Sequence, residues 1–185
     1  MAYDLEDITK PAGASPGAGG GLHNEVILML ADDVETVPVR GVDLVTMTGN
    51  IVMKTGKYMH SIYSTPKTLE ITHKKIKGDN ADIVGYEVGL KFFHPDLKAA
   101  ILSFKAKHSA SKFYALIRNC AADMVYFMGE PCNELLMDEA ESVWGKNITD
   151  GKGTNFTFLT QQKNTAAVYT GTFTLPDDSG SGSGA

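Results

Sequence analysis

The sequence predicts a mainly β fold of the α+β kind: a β-sandwich or small β-barrel flanked by one principal helix, with a projecting hairpin and flexible termini. Three observations carry that expectation. Apolar residues alternate with polar or small ones at period two through much of the chain, which puts one face of each strand in a core. Glycine-containing turns separate many of these stretches, as at Thr48-Gly49-Asn50, Thr55-Gly56-Lys57, Lys77-Gly78-Asp79-Asn80 and Asp150-Gly151-Lys152-Gly153. One stretch, after His94-Pro95-Asp96, switches to helical spacing.

Taken in chain order, residues 1–21 form an arm. Pro11 to Gly21 reads PAGASPGAGGG, a composition with too little apolar surface to offset chain entropy. Residues 22–176 form a single β-rich domain, and 177–185, DDSGSGSG and a final alanine, form a flexible tail. Within the domain, strands are expected at Glu25 to Leu30, Val42 to Met47, Asn50 to Lys54, Lys57 to Tyr63 and Leu69 to Ile76. In the last of these the apolar parity slips by one, which predicts either a bulge or a strand running past the body of the sheet.

The clearest alternation follows, with Tyr86, Val88, Leu90 and Phe92 opposed to Gly85, Glu87, Gly89 and Lys91. Pro95 suits a first helical turn, and Leu97, Ala100, Ile101 and Phe104 give an apolar stripe, so a helix is expected from Pro95 to about Ala106. Lys105 and Lys107 favour the C-terminal end of its dipole. Further strands are expected at Phe113 to Arg118, Met124 to Met128 and Asn155 to Leu159, and a last one in which Tyr169, Gly171, Phe173 and Leu175 alternate with threonines and Val168. A second, weaker helical turn is expected over Asn133 to Ala140, where Leu135, Leu136 and Met137 cluster.

Composition limits the function. The chain has 185 residues and a formal net charge of −5, so nothing in its overall balance attracts nucleic acid or anionic lipid. The longest apolar run, Val26 to Ala31, is too short to span a bilayer, and the first ten residues carry Asp4, Glu6 and Asp7 where a secretory leader needs cations. Cys120 and Cys132 lack metal or redox spacing and are expected to be buried thiols.

Chemistry-bearing patterns are absent from the sequence. The five histidines, His23, His60, His73, His94 and His108, sit in unrelated segments without a second ligand at zinc or iron spacing, so no metal site is assigned. There is no GxSxG elbow, and Gly56-Lys57 and Gly145-Lys146 lack the earlier glycine of a phosphate loop. The expectation is a non-enzyme without cofactors. A charged fraction of 21% is slightly below the average for a domain, a hint of surface covered by neighbours.

The order of elements, several strands with a long hairpin region, one central helix and then more strands, resembles the major tail (tail tube) proteins of bacteriophages. The residues that carry the resemblance are Trp144-Gly145-Lys146, Asp150-Gly151, Asn155-Phe156-Thr157-Phe158 and Ala167-Val168-Tyr169-Thr170-Gly171-Thr172-Phe173. The resemblance implies a structural virion protein, made in the host cytoplasm, whose hexameric rings stack into a tail tube. Its partners would be copies of itself and other tail proteins, with DNA passing as non-specific cargo and no membrane. Residues 48–68 read as a hairpin that projects between rings, making Tyr58, Ile62 and Tyr63 interface candidates, and Glu87 is a candidate for the lumen. Two alternatives stay open: another virion component such as a terminator, head-joining or decoration protein, and a monomeric ligand-binding β-sandwich.

Overall fold

The computed structural model describes residues 22–77, 84–119, 124–145, 151–173 and 175. The arm at 1–21, the tail at 177–185, Cys120 and the turn around Gly78 lie outside them. The described chain is mainly β with one helix, and its main sheet is mixed.

The elements are β1 (Leu22–Leu30), a 3-10 turn (Ala31–Asp33), β2 (Val34–Thr36), β3 (Thr46–Met47), β4 (Val52–Met53), β5 (His60–Tyr63), β6 (Glu70–Lys77) and β7 (Val84–His94). They continue with α1 (Ala99–His108), β8 (Lys112–Asn119), β9 (Val125–Met128), β10 (Leu135–Val143), β11 (Gly153–Gln162) and β12 (Ala167–Tyr169). Ten strands share one hydrogen-bonded sheet, and β2 pairs with β4 in a small second one.

The main sheet branches at β8. One edge of β8 pairs with β1, which in turn pairs with β5; the other meets β9 through Ala115 to Arg118 and β10 through Phe113 and Lys112. From β9 a short wing continues through β12 to β3, and β12–β3 is the parallel pair. From β10 a long antiparallel wing continues through β11 and β7 to β6.

Branching lets β1 and β8 serve two cores at once. Val26, Leu28, Leu30, Phe113, Ala115 and Ile117 enter a core shared with β7, β11 and α1, while Ile27, Met29, Tyr114 and Leu116 enter a second core with Phe127, Met47 and Tyr169. Strands buried on both faces read as continuous apolar runs, and this is why Val26 to Met29 show no alternation. Rings join the layers of the first core: Phe113 meets Phe158 edge-on at 5.4 Å, and Phe104 of α1 meets Phe156 edge-on at 5.7 Å.

The helix forms where expected but starts later. Pro95 to Lys98 stay outside the helix: the Asp96 N–H donates to the His94 carbonyl at 3.0 Å, the Asp96 carboxylate accepts the Leu97 N–H at 2.7 Å, and Lys98 is the N-cap in an extended conformation with ψ 162°. Ile101, Phe104 and His108 form its buried stripe, and Lys105, Lys107 and His108 occupy the last turn.

Five expectations are corrected. The segment Asn133 to Ala140 is not helical; Leu135 to Val143 is β10, with a register shift between Met137 and Glu139 that breaks its alternation and leaves a helix-like spacing. The last strand stops at Tyr169. Its hydroxyl accepts the Ile51 N–H and donates to the Thr172 carbonyl, so the chain turns under the ring instead of extending. Only Thr46 and Met47 of the expected Val42 to Met47 strand are extended in the sheet. Residues 48–68 do not project: β5 pairs with β1 over His60 to Tyr63, and Met59 and Ile62 are buried. Cys132 is exposed, in a turn with φ 71°. In β6 no bulge forms: Glu70 to Lys77 pair with β7 in unbroken register, and the strand, the edge of the main sheet, mostly faces solvent.

Candidate functional site

The four residues singled out by the sequence land in different environments. Tyr58 is exposed, Tyr63 is half-buried at the end of β5, and Ile62 has no exposed surface, packed in the first core. Ile62 is therefore spent on the protomer's own fold and is unavailable to a neighbour, which corrects its assignment as an interface residue. Glu87 lies on the solvent face of β7, opposite Gln161 of β11 and Lys74 of β6, with its carboxylate 3.9 Å from the Lys74 ammonium.

Glu87 belongs to a larger surface, the outer face of the β10-β11-β7-β6 wing. Because Val88, Leu90, Phe92, Phe156 and Phe158 point inward, their neighbours Glu87, Lys91, Asn155 and Thr157 point out. The register adds Glu70 and Lys74 from β6 and Glu139 and Glu141 from β10 to the same face. Four carboxylates thus stand there with two ammonium groups, Lys74 and Lys91, and the face carries a net negative charge. Gly89 allows close packing in its middle, since a side chain there would meet Thr72 and Leu159.

The wing also ends in two open edges. Among the described residues β6 pairs only with β7, and β10 pairs with β11 along its length but with β8 only through Leu135 and Leu136. The backbone of 137–143 on the second side of β10, like the outer side of β6, has no strand partner among the described residues. Their charges are opposite: β6 carries His73, Lys74, Lys75 and Lys77 with Glu70, whereas β10 carries Asp138, Glu139 and Glu141 and no cation. All of these side chains are exposed. A groove of about 600 Å³ runs from Ser109 and Ala110 after α1, past Leu136 to Asp138 of β10, to Leu159 to Gln161 of β11 and Glu87 of β7.

The ends of the wing are secured by polar groups whose ionisation the fold constrains. His94 is buried at the end of β7, and burial holds its pKa below the usual histidine value, although its contact with the Tyr63 carbonyl at 2.8 Å opposes that shift. Partial desolvation lowers His73 as well, although its side chain still reaches water, and its Nε2 accepts the Ala166 N–H at 3.3 Å, which requires the neutral ring. Near β10, burial raises the Glu134 carboxyl, but hydrogen bonds and Lys112 at 3.3 Å leave it below the ordinary carboxylate range. Among the described residues no group of three or more His, Cys, Asp or Glu is placed to hold a metal ion, and no helix is long and apolar enough to cross a membrane.

Sequence reasoning missed the β10 edge because the bulge after Met137 hid the alternation. The signal available to it was charge: a basic run at Lys74 to Lys77 and an acidic run at Asp138 to Glu141, with β7, α1, β8 and β9 between them in the chain. Compared with known proteins, the chain matches no family model, no curated sequence and no solved structure.

Proposed function

We propose that the protein is a self-assembling structural subunit whose copies join side by side into closed rings, and that the rings stack as the tail tube of a bacteriophage, passing DNA as non-specific cargo. The observation that carries this reading is the pair of open, oppositely charged edges at the two sides of one four-stranded wing. Monomers blunt such edges or cover them, and main-chain groups left unpaired on both sides offer a ladder to another chain.

The geometry is self-consistent. The strands β10, β11, β7 and β6 alternate in direction, so β10 of one copy and β6 of the next run antiparallel and the ladder continues in the same sense. The contact is head-to-tail, using different surfaces on each copy, and repetition around an axis closes a ring. Asp138, Glu139 and Glu141 meet Lys74, Lys75 and Lys77 at that contact, which steers the pairing and fixes its direction. Six copies per ring and the virion location come from the resemblance to tail tube proteins. In such a ring the outer face with Glu87, Glu139 and Glu141 lines the lumen, and net negative charge there repels the phosphates of DNA instead of retaining them.

The test is charge reversal at the edges. The triple variant Lys74→Glu, Lys75→Glu, Lys77→Glu presents acidic groups on both edges and is expected to sediment as a monomer. The variant Asp138→Lys, Glu139→Lys, Glu141→Lys presents basic groups on both and is expected to do the same. Mixed in equal amounts, they restore every contact in an alternating ring of even order, and electron microscopy should show rings again. Rings formed by either variant alone, or a wild type that stays monomeric at high concentration and low salt, would sink the reading.

A further inference from the structure

The register of the wing puts its two charged edges on different levels. Glu139 of β10 stands opposite Thr157 of β11, Thr157 opposite Lys91 of β7, and Lys91 opposite Glu70 of β6. One row of the sheet therefore begins and ends in a carboxylate, and both side chains lie on the charged face. The row of Lys74, with Glu87 and Gln161, lies beyond the Leu136–Leu159 pair where β10 first meets β11. The lysines of β6 are thus displaced along the strands from the carboxylates of β10.

We infer that neighbouring copies pair out of line, with Lys74 of one copy opposite Glu139 of the next, a step of four residues along the strands at every contact. This rests on the ring reading and supplies its register. The occupant of each edge is a second copy because the edges complement each other in charge and neither complements itself: β6 on β6 sets lysines against lysines, and β10 on β10 sets carboxylates against carboxylates.

Face and charge both select this step. An odd slip would turn outward residues inward, so the step is even. With no step Glu70 meets Glu139, and with a step of two it meets Glu141; like charges directly opposite are destabilising. A step of four sets Lys74 against Glu139, brings Lys75 beside Asp138 and moves Glu70 to Val143. A step of six leaves Glu139 facing Ile76.

Closure selects the same step independently. Four strands span about 19 Å and four residues about 13.5 Å, so the strands tilt by about 35° from the ring axis. Closed sheets tilt by about 35–45°, whereas steps of zero, two and six give about 0°, 20° and 47°. The sense of the step agrees as well. Phe93 stands on the charged face, and its carbonyl accepts the Thr65 N–H at 2.8 Å on the β6 side. For L-residues this places β6 to the right of β7 when β7 runs upward and that face is toward the viewer. Strands of closed sheets coil right-handed about the axis. With the charged face inside the ring, that coil moves the contact toward higher numbers in β6, as the Lys74 step requires; with that face outside, it moves the contact the other way.

The experiment uses the full chain with Cys120→Ser and Cys132→Ser. In that background Lys74→Cys with Glu139→Cys should give, on mild oxidation, a ladder of disulfide-linked multimers at least about tenfold faster than Glu70→Cys with Glu139→Cys, because only directly opposed side chains reach disulfide distance. Each cysteine alone should give no ladder. Without cysteines, Glu70→Lys should change the protein concentration needed for rings by less than about threefold, since Glu70 meets no charge in the stepped register. Faster cross-linking of the Glu70 and Glu139 pair, or a Glu70→Lys chain that assembles at a tenth of the wild-type concentration, would overturn the step and leave the ring reading standing. Rings in which neither pair cross-links, or a wild type that forms no rings, would overturn both.

Discussion

The β1–β8 pair and the β10-β11-β7-β6 wing are built from similar strands but use them differently. In β1 and β8 the central residues are buried on both faces, both edges carry strand partners, and Val26 to Met29 and Ala115 to Ile117 have no exposed surface. In the wing one face is buried, the other is charged, and among the described residues neither outermost edge is paired along its length. The difference teaches where each kind of energy resides. Apolar burial, at about 25 cal/mol per Å², is concentrated around the β1–β8 pair, while the hydrogen-bonding and charge left for a partner are concentrated at the margins of the wing.

Substitutions can break that comparison at its strong end first. Ile62→Asp places a carboxylate in the first core with no partner, and the loss of several kcal/mol should abolish the cooperative thermal melt. A folded Ile62→Asp protein would return residues 48–68 to the surface. Phe113→Ala removes a ring that touches both Phe104 and Phe158 and should cost about 3–5 kcal/mol in chemical denaturation. A loss below about 1 kcal/mol would mean that the two layers are not held together there.

A smaller effect joins the two regions. His94 and His73 both have pKa values lowered by folding, so the native state prefers them neutral while the unfolded chain takes up protons below about pH 6.5. Their contribution is fully present above that pH and is lost as pH falls from there toward the folded values. The melting temperature should therefore drop between pH 7 and pH 5, and His94→Asn, although less stable at pH 7, should flatten the slope. A wild-type melting temperature that is level across this range would remove the histidines from the account.

The smallest effect on folding is expected at the edges. Reversing Lys74, Lys75 and Lys77 should change monomer stability by less than about 0.5 kcal/mol, because these side chains face water and the Lys74–Glu87 pair is solvent-screened. The same reversal should remove assembly. If it instead destabilises the monomer by more than about 2 kcal/mol, the edge is part of the protomer's own fold and the division between core and margin fails.

Much of the β class was decided by the sequence alone. Alternation in Tyr86 to Phe92 fixed which residues of β7 face inward, and the stripe of Ile101 and Phe104 fixed one face of α1, because side-chain period follows from backbone geometry without reference to neighbours. The placing of Glu87 on the small and charged face of its strand was legible for the same reason. What tertiary structure decided were the features that depend on what lies across a gap. Ile62 is buried because β5 pairs with β1 some thirty-five residues away in sequence, as in the Val26–Ile62 register. The Tyr169 strand ends because its hydroxyl finds Ile51 and Thr172. Lys74 and Glu139 become opposite edges of one wing only once β7 and β11 stand between them. Local pattern sets which face a side chain takes; pairing over long separations sets which edge is left for a neighbour.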